Sequence, residues 1–105
     1  MDLMVDIVDL QERATGVHVS KTLPCGDDHI VLLDYDQASR SKLRANLRRV
    51  KSDGAVVWAA SAPGSNDIFT NVAWRDALLV AWTWECFMIT VDQETGKPVD
   101  VLFTK

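Results

Sequence analysis

The sequence predicts a mainly β protein. It reads as a single domain of about seven or eight antiparallel strands in a meander, twisting closed into a small sandwich or barrel, with at most one short helix. Three observations carry this reading. Side chains alternate with period two along Leu78–Glu85, where Leu78, Val80, Trp82 and Trp84 share one face, and that is the period of a half-buried strand. Short loops rich in Gly, Asp, Asn and Pro recur between apolar runs, as hairpin connections do. A chain of 105 residues with 48% apolar and 25% charged content suits one packed domain rather than a disordered or disulfide-framed one.

Taken in order, the first dozen residues carry Leu3, Ile7 and Leu10 at helical spacing. Val5, Ile7 and Val8 are β-branched, however, and a strand is expected there. A second strand runs over Val17 to Leu23 and stops at the loop Pro24-Cys25-Gly26-Asp27-Asp28. His29 to Tyr35 is the next apolar run. Between Gln37 and Lys51 two readings compete. Leu43, Leu47 and Val50 have helical spacing, and Asp36 is placed to cap a helix. A strand from Ala45 to Val50 would instead pair with Ala55 to Ala60 across Ser52-Asp53-Gly54. The strand is preferred, with a short helical turn near 37–44.

Pro63-Gly64-Ser65-Asn66-Asp67 is the clearest loop. Beyond it lie Ile68 to Trp74, Leu78 to Glu85, Phe87 to Val91 and Val99 to Phe103. They are joined by Arg75-Asp76 and by Glu94-Thr95-Gly96-Lys97, loops short enough for hairpins. Four such strands in series pair as sequential neighbours.

Gly54 and Gly96 are 42 residues apart in matching surroundings. Each follows a strand and an acidic turn, and precedes a strand that ends in an aromatic, Trp58 or Phe103. That period and the Val91-Asp92-Gln93-Glu94-Thr95-Gly96-Lys97 turn resemble the blades of quinoprotein-type or WD40-type β-propellers. The resemblance implies half-repeats over about 29–60 and 68–105. A propeller needs at least four blades and this chain holds two at most, so the expectation is one strongly twisted sheet that curls into a sandwich or small barrel, or completes itself with a second copy. The resemblance carries over no quinone-cofactor or metal residue. In its brevity and lack of motif the chain is also similar to small bacterial orphan proteins such as those of integron cassettes.

Eleven bases against fifteen acids give a net charge of −4, which argues against a dedicated nucleic-acid binder. No run approaches the roughly 20 apolar residues of a membrane span. The acid-punctuated start is unlike a signal peptide. A cytoplasmic location is expected, with Cys25 and Cys86 reduced and Cys86 packed as a small hydrophobe.

Four tryptophans, Trp58, Trp74, Trp82 and Trp84, are the candidate ligand or interface residues. If the Ile68–Trp74 and Leu78–Glu85 runs pair, Trp74 approaches the Trp82/Trp84 face. Core packing is the simpler account, because nothing polar interrupts that face; an aromatic pocket wall or partner surface is the sharper one. Arg40, Lys42, Arg44, Arg48, Arg49 and Lys51 form a basic strip with no acid among them. A solvated or internally paired face is the simpler account, a protein partner the next, and phosphate contact the last, since the segment lacks aromatics for base stacking.

Cys25, Asp27, Asp28 and His29 are close in sequence but match no zinc pattern, so no metal site and no cofactor are expected. A Cys25–His29 nucleophile pair and an Asp34–Asp36 carboxylate pair are weaker candidates still. No nucleophile elbow, zincin, P-loop or dinucleotide motif occurs, and no catalytic residue is assigned. The expectation is a small module that self-associates as a homodimer or meets another protein. The alternatives are a small-ligand-binding protein or an enzyme with an aromatic-lined pocket beside Trp74, Trp82 and Trp84, and a weak nucleic-acid contact through the basic strip.

Overall fold

The computed structural model describes residues 6–104. It contains two helices and eight strands, all strand pairs antiparallel, in two four-stranded meanders. Sheet 1 is β1 (Val19–Cys25), β2 (Asp28–Leu33), β3 (Leu47–Val50) and β4 (Val56–Ala60) in that order. Sheet 2 is β5 (Phe69–Arg75), β6 (Leu78–Thr83), β7 (Phe87–Val91) and β8 (Pro98–Phe103). The sheets stay open and separate, so the architecture is a two-sheet stack and not a barrel.

The expected strand near the start is instead a helix, α1 (Ile7–Thr15). The Asp6 carboxylate accepts the Val8 amide at 3.0 Å, and Gly16 ends the helix at φ 72° with its amide on Glu12 O. Both ends therefore carry the caps a helix requires. Packing Ile7 against the core and burying Gln11 outweighs the weak strand preference of the β-branched residues. Leu3 and Val5 lie outside the described residues.

The short helix of the middle segment is α2 (Tyr35–Arg40). It is capped by Asp34, whose Oδ2 accepts the Gln37 amide at 3.0 Å, rather than by Asp36. Helical structure thus occurs twice, where one short turn was expected. The preferred strand exists over Leu47–Val50 and pairs with β4 across the 51–55 turn. Gly54 and Gly96 both sit at positive φ, 92° and 78°, in the turn between the third and fourth strands of their own sheets.

Alternation along the strands builds three layers. Ile30, Leu32, Leu47 and Trp58 of sheet 1 pack on Phe69, Val72, Leu79 and Ile89 of sheet 2, forming the main core. On the outer face of sheet 1, Val31, Leu33 and Val50 pack with Val17, Ala38, Ile7 and Leu43, so both helical segments cover that face. No helix covers the outer face of sheet 2 among the described residues.

Asn46 staples the sheets at one end. Its side chain is fully buried, donates to Leu33 O (3.2 Å) and Phe69 O (2.8 Å), and accepts the Phe69 amide (3.2 Å). A primary amide supplies both donors and an acceptor. It therefore completes backbone pairing just where the chain passes from sheet 1 to sheet 2.

Candidate functional site

The four tryptophans do not form one cluster. Trp74 pairs opposite Leu79, faces the inter-sheet core and donates its indole N–H to Pro24 O at 2.8 Å. Trp82 pairs opposite Asn71 and Met88 on the other face of sheet 2, where the Arg75 guanidinium lies 6.0 Å from its ring centroid. Sheet 2 itself therefore stands between Trp74 and Trp82, and the approach expected from hairpin pairing does not occur. The reason is parity: the β5–β6 register puts Trp74 across from an odd-numbered, inward-facing residue.

Trp58 is a core residue and the anchor of the β7–β8 turn. Its indole N–H donates to Gln93 O at 2.8 Å, and its ring lies against Gly96. Arg49 grips the same turn through Gln93 O (2.8 Å) and Glu94 (3.2 Å) while holding Asp28 at 2.9 Å. Trp84 is different. It follows β6, is 62% exposed, and stacks on Tyr35 with ring centroids 5.4 Å apart and planes at 31°.

The basic strip disperses as well. Arg40 pairs with Asp36 at 2.8 Å on the surface of α2. Arg48 is buried beneath α1, bonded to Gln11 Oε1 at 3.3 Å with its Nε unsatisfied; burial lowers its pKa from the usual arginine range. Arg49 is spent on the β7–β8 turn, and Lys51 is exposed beside the β3–β4 turn. Only Lys42 and Arg44 remain together, in the loop after α2. Neither has a carboxylate within ion-pair distance among the described residues.

The weaker candidates separate too. Cys25 is buried in the inter-sheet core, whereas His29 pairs with Val50 on the other face of sheet 1. Burial pushes the Cys25 thiol pKa up against the opposing pull of Arg49, the reverse of what an activated nucleophile needs. Asp34 and Asp36 are helix-capping and helix-surface residues, not a pair on a strand. Cys86 is exposed at φ 72° in the β6–β7 turn, not packed in a strand as expected. No three His, Cys, Asp or Glu side chains gather as a metal site among the described residues.

Two features stand out on the surface. One is a pair of adjoining hollows that share Ser39, Asn66 and Ile68 as walls. The first, of about 330 Å³, adds Lys42, Arg44 and Asp67; the second, of about 270 Å³, adds Tyr35, Asp36 and Trp84. Arg44 is held across the first by a 3.1 Å bond to Gly64 O. Asp67 is buried, with Oδ1 accepting the amides of Ile68 and Glu85 at 2.9 Å and Oδ2 without a partner. Sequence reasoning missed this place. The 63–67 loop was legible only as a loop, and Tyr35 only as the end of a strand.

The other feature is β8, where every residue is exposed. Val99, Val101, Leu102 and Phe103 are 47–69% exposed, Phe103 packs on Phe87 at 5.3 Å, and Asp100 is the strand's one charge. Its far backbone edge has no neighbouring strand among the described residues.

Fold and surface together define a small two-sheet antiparallel β domain, helix-covered on one sheet and open on the other. The chain belongs to the family described as Domain of unknown function (DUF7957), which matches residues 7–103. Its fold is similar to that of the computationally designed Ika8 protein, in a crystal structure described as crystal packing No.1 in P63. The TM-score is 0.58 at 11% identity, over 84% of this chain. This chain spans 24% of the length of that one. No curated protein matches.

Proposed function

We propose that the protein is a small interaction module that self-associates as a homodimer, β8 of one copy pairing antiparallel with β8 of the next across a two-fold axis. The observation that carries this is the exposure of β8, apolar on both faces and nearly free of charge. Edge strands that stay single are ordinarily blunted by lysines, bulges or covering elements. On β8 the blunting features gather at its start, where Pro98, a bulge at Val99 and Asp100 lie, and Val101–Phe103 are left without one. A two-fold contact between identical edges is self-complementary and closes on itself.

The two meanders and their matching turns support a blade-like reading of each half. Blade-like stacking of copies face to face, sheet 2 on sheet 1, is obstructed because α1 and α2 cover sheet 1. Pairing through the β8 edge meets no such obstruction. Free thiols, one of them exposed, suit the reducing interior of a cell.

The test is solution mass by size-exclusion chromatography with light scattering, at low and high salt. A dimer that persists at high salt and falls to monomer with Val101→Lys is expected, because apolar edge pairing is not screened. Val101 is 47% exposed, and far-ultraviolet circular dichroism of the variant should match that of the unmodified chain. A monomer at every concentration refutes the reading. A dimer lost at high salt assigns association to charged surface instead, and refutes the β8 edge as its basis.

A further inference from the structure

We infer that the cleft between α2, the 63–68 loop and Trp84 is a binding site for a small zwitterion, an α-amino acid with an aromatic side chain. β8 contributes no residue to either hollow of the cleft, although Asp67 also lines a neighbouring hollow with Val101 of that strand.

The argument starts from the distribution of charge. The first hollow presents two cations and one carboxylate: Lys42, Arg44 and Asp67. Arg44 Nη2 is bonded to Gly64 O, and neither cation has an acid partner among the described residues. A plain anion would meet the Asp67 charge, and a plain cation would meet Lys42 and Arg44. A ligand carrying both signs one carbon apart meets all three favourably, its carboxylate toward the cations and its ammonium toward Asp67. Asp67 Oδ2 has no hydrogen-bond partner and almost no surface of its own, so Asp67 acts on the ammonium through its charge and not through a direct hydrogen bond.

The second hollow supplies the place for a side chain. Trp84 exposes most of its ring yet is held in place by Tyr35 and by its amide on Ile68 O at 2.9 Å. A fixed, solvent-facing indole with Ile68 beside it is a stacking surface for a flat apolar ring, and offset aromatic pairs are favourable. The shared walls place that surface directly next to the charged hollow. The individual volumes, about 330 and 270 Å³, are at the small end of ligand pockets, as an amino acid requires.

The experiment titrates L-phenylalanine into the full chain. Tryptophan fluorescence is excited at wavelengths phenylalanine does not absorb, and amide chemical shifts are followed in parallel. Saturable binding at or below roughly millimolar ligand is expected, with shifts at Asn66, Ile68 and the Trp84 indole N–H. 3-Phenylpropionate, which lacks the ammonium, and phenethylamine, which lacks the carboxylate, should each bind roughly tenfold to a hundredfold more weakly. Asp67→Asn keeps the Oδ1 acceptor for the two amides and should erase the preference for phenylalanine over 3-phenylpropionate; Trp84→Leu should remove the fluorescence response. No saturation with phenylalanine overturns the proposal. So does 3-phenylpropionate binding as tightly as phenylalanine, or an aromatic phosphate such as adenosine monophosphate binding more tightly than either. The analogue series on the unmodified chain decides the matter even if a variant fails to fold.

Discussion

Gly96 is where the two sheets are locked together by shape, and replacing it with alanine measures that lock. Its φ of 78° lies in the left-handed region, where an L-residue with a Cβ is strained by about 1–2 kcal/mol. A Cβ there would also stand 2.6 Å from Cδ2 and Cε3 of Trp58. The indole cannot swing aside, because it is 8% exposed and tied through its N–H to Gln93 O. Forcing atoms into a packed site costs about 1–3 kcal/mol more.

Gly26 is the internal control. It has a similar φ, 60°, and nothing within 4 Å of an added Cβ, so Gly26→Ala meets the backbone strain alone. Less flexibility in the unfolded chain offsets about 0.4–1 kcal/mol of the cost in both variants. The net expectation is a loss of about 0–1.6 kcal/mol for Gly26→Ala and about 1–4.6 kcal/mol for Gly96→Ala. Urea unfolding followed by far-ultraviolet circular dichroism reads both. In a Trp58→Leu background, itself destabilised, the excess cost of Gly96→Ala should vanish, which is the signature of a direct contact. Equal losses for the two glycine variants, or an excess that survives Trp58→Leu, would refute the reasoning.

Other consequences follow from the same structure. Asn46→Ala strips partners from Leu33 O, Phe69 O and the Phe69 amide at once. It should destabilise the fold by about 3 kcal/mol or more, read as a lowered urea midpoint; a loss below about 1 kcal/mol, a midpoint shift of less than about 1 M, contradicts the staple. The β5–β6 turn holds Asp76 and Ala77 at φ 50° and 67°, a geometry that asks for glycine. Ala77→Gly should therefore raise stability by about 0.5–1 kcal/mol, visible as a higher melting temperature, and a lower one would contradict the turn geometry.

Much of the β architecture was legible because it is local. Period-two alternation over Leu78–Glu85 and the loops at 63–67 and 94–97 are written in neighbouring residues, and β6, β7 and β8 formed where those signals lie. The α1 segment was misread because its β-branched residues speak for a strand, while its cap at Asp6 and its burial against sheet 1 depend on partners far along the chain. The basic strip was legible as composition only. Whether Arg48 points under α1, Arg49 toward the β7–β8 turn and Lys42 into a hollow depends on the pleat and on what lies opposite.

By itself, then, the sequence determined the strand-rich class, the order of the hairpins and the matched turns at Gly54 and Gly96, since each follows from side-chain period and turn chemistry within a few residues. Tertiary structure alone decided that the chain folds into two open sheets, with Trp58 and Trp74 inside, Trp82 outside and Trp84 beside Tyr35. It also decided that Lys42, Arg44 and Asp67 meet around one hollow while β8 is left bare. A strand's sequence states which residues share a face. Which face is buried is settled only when another layer packs against it, and that choice is made by residues distant in the chain.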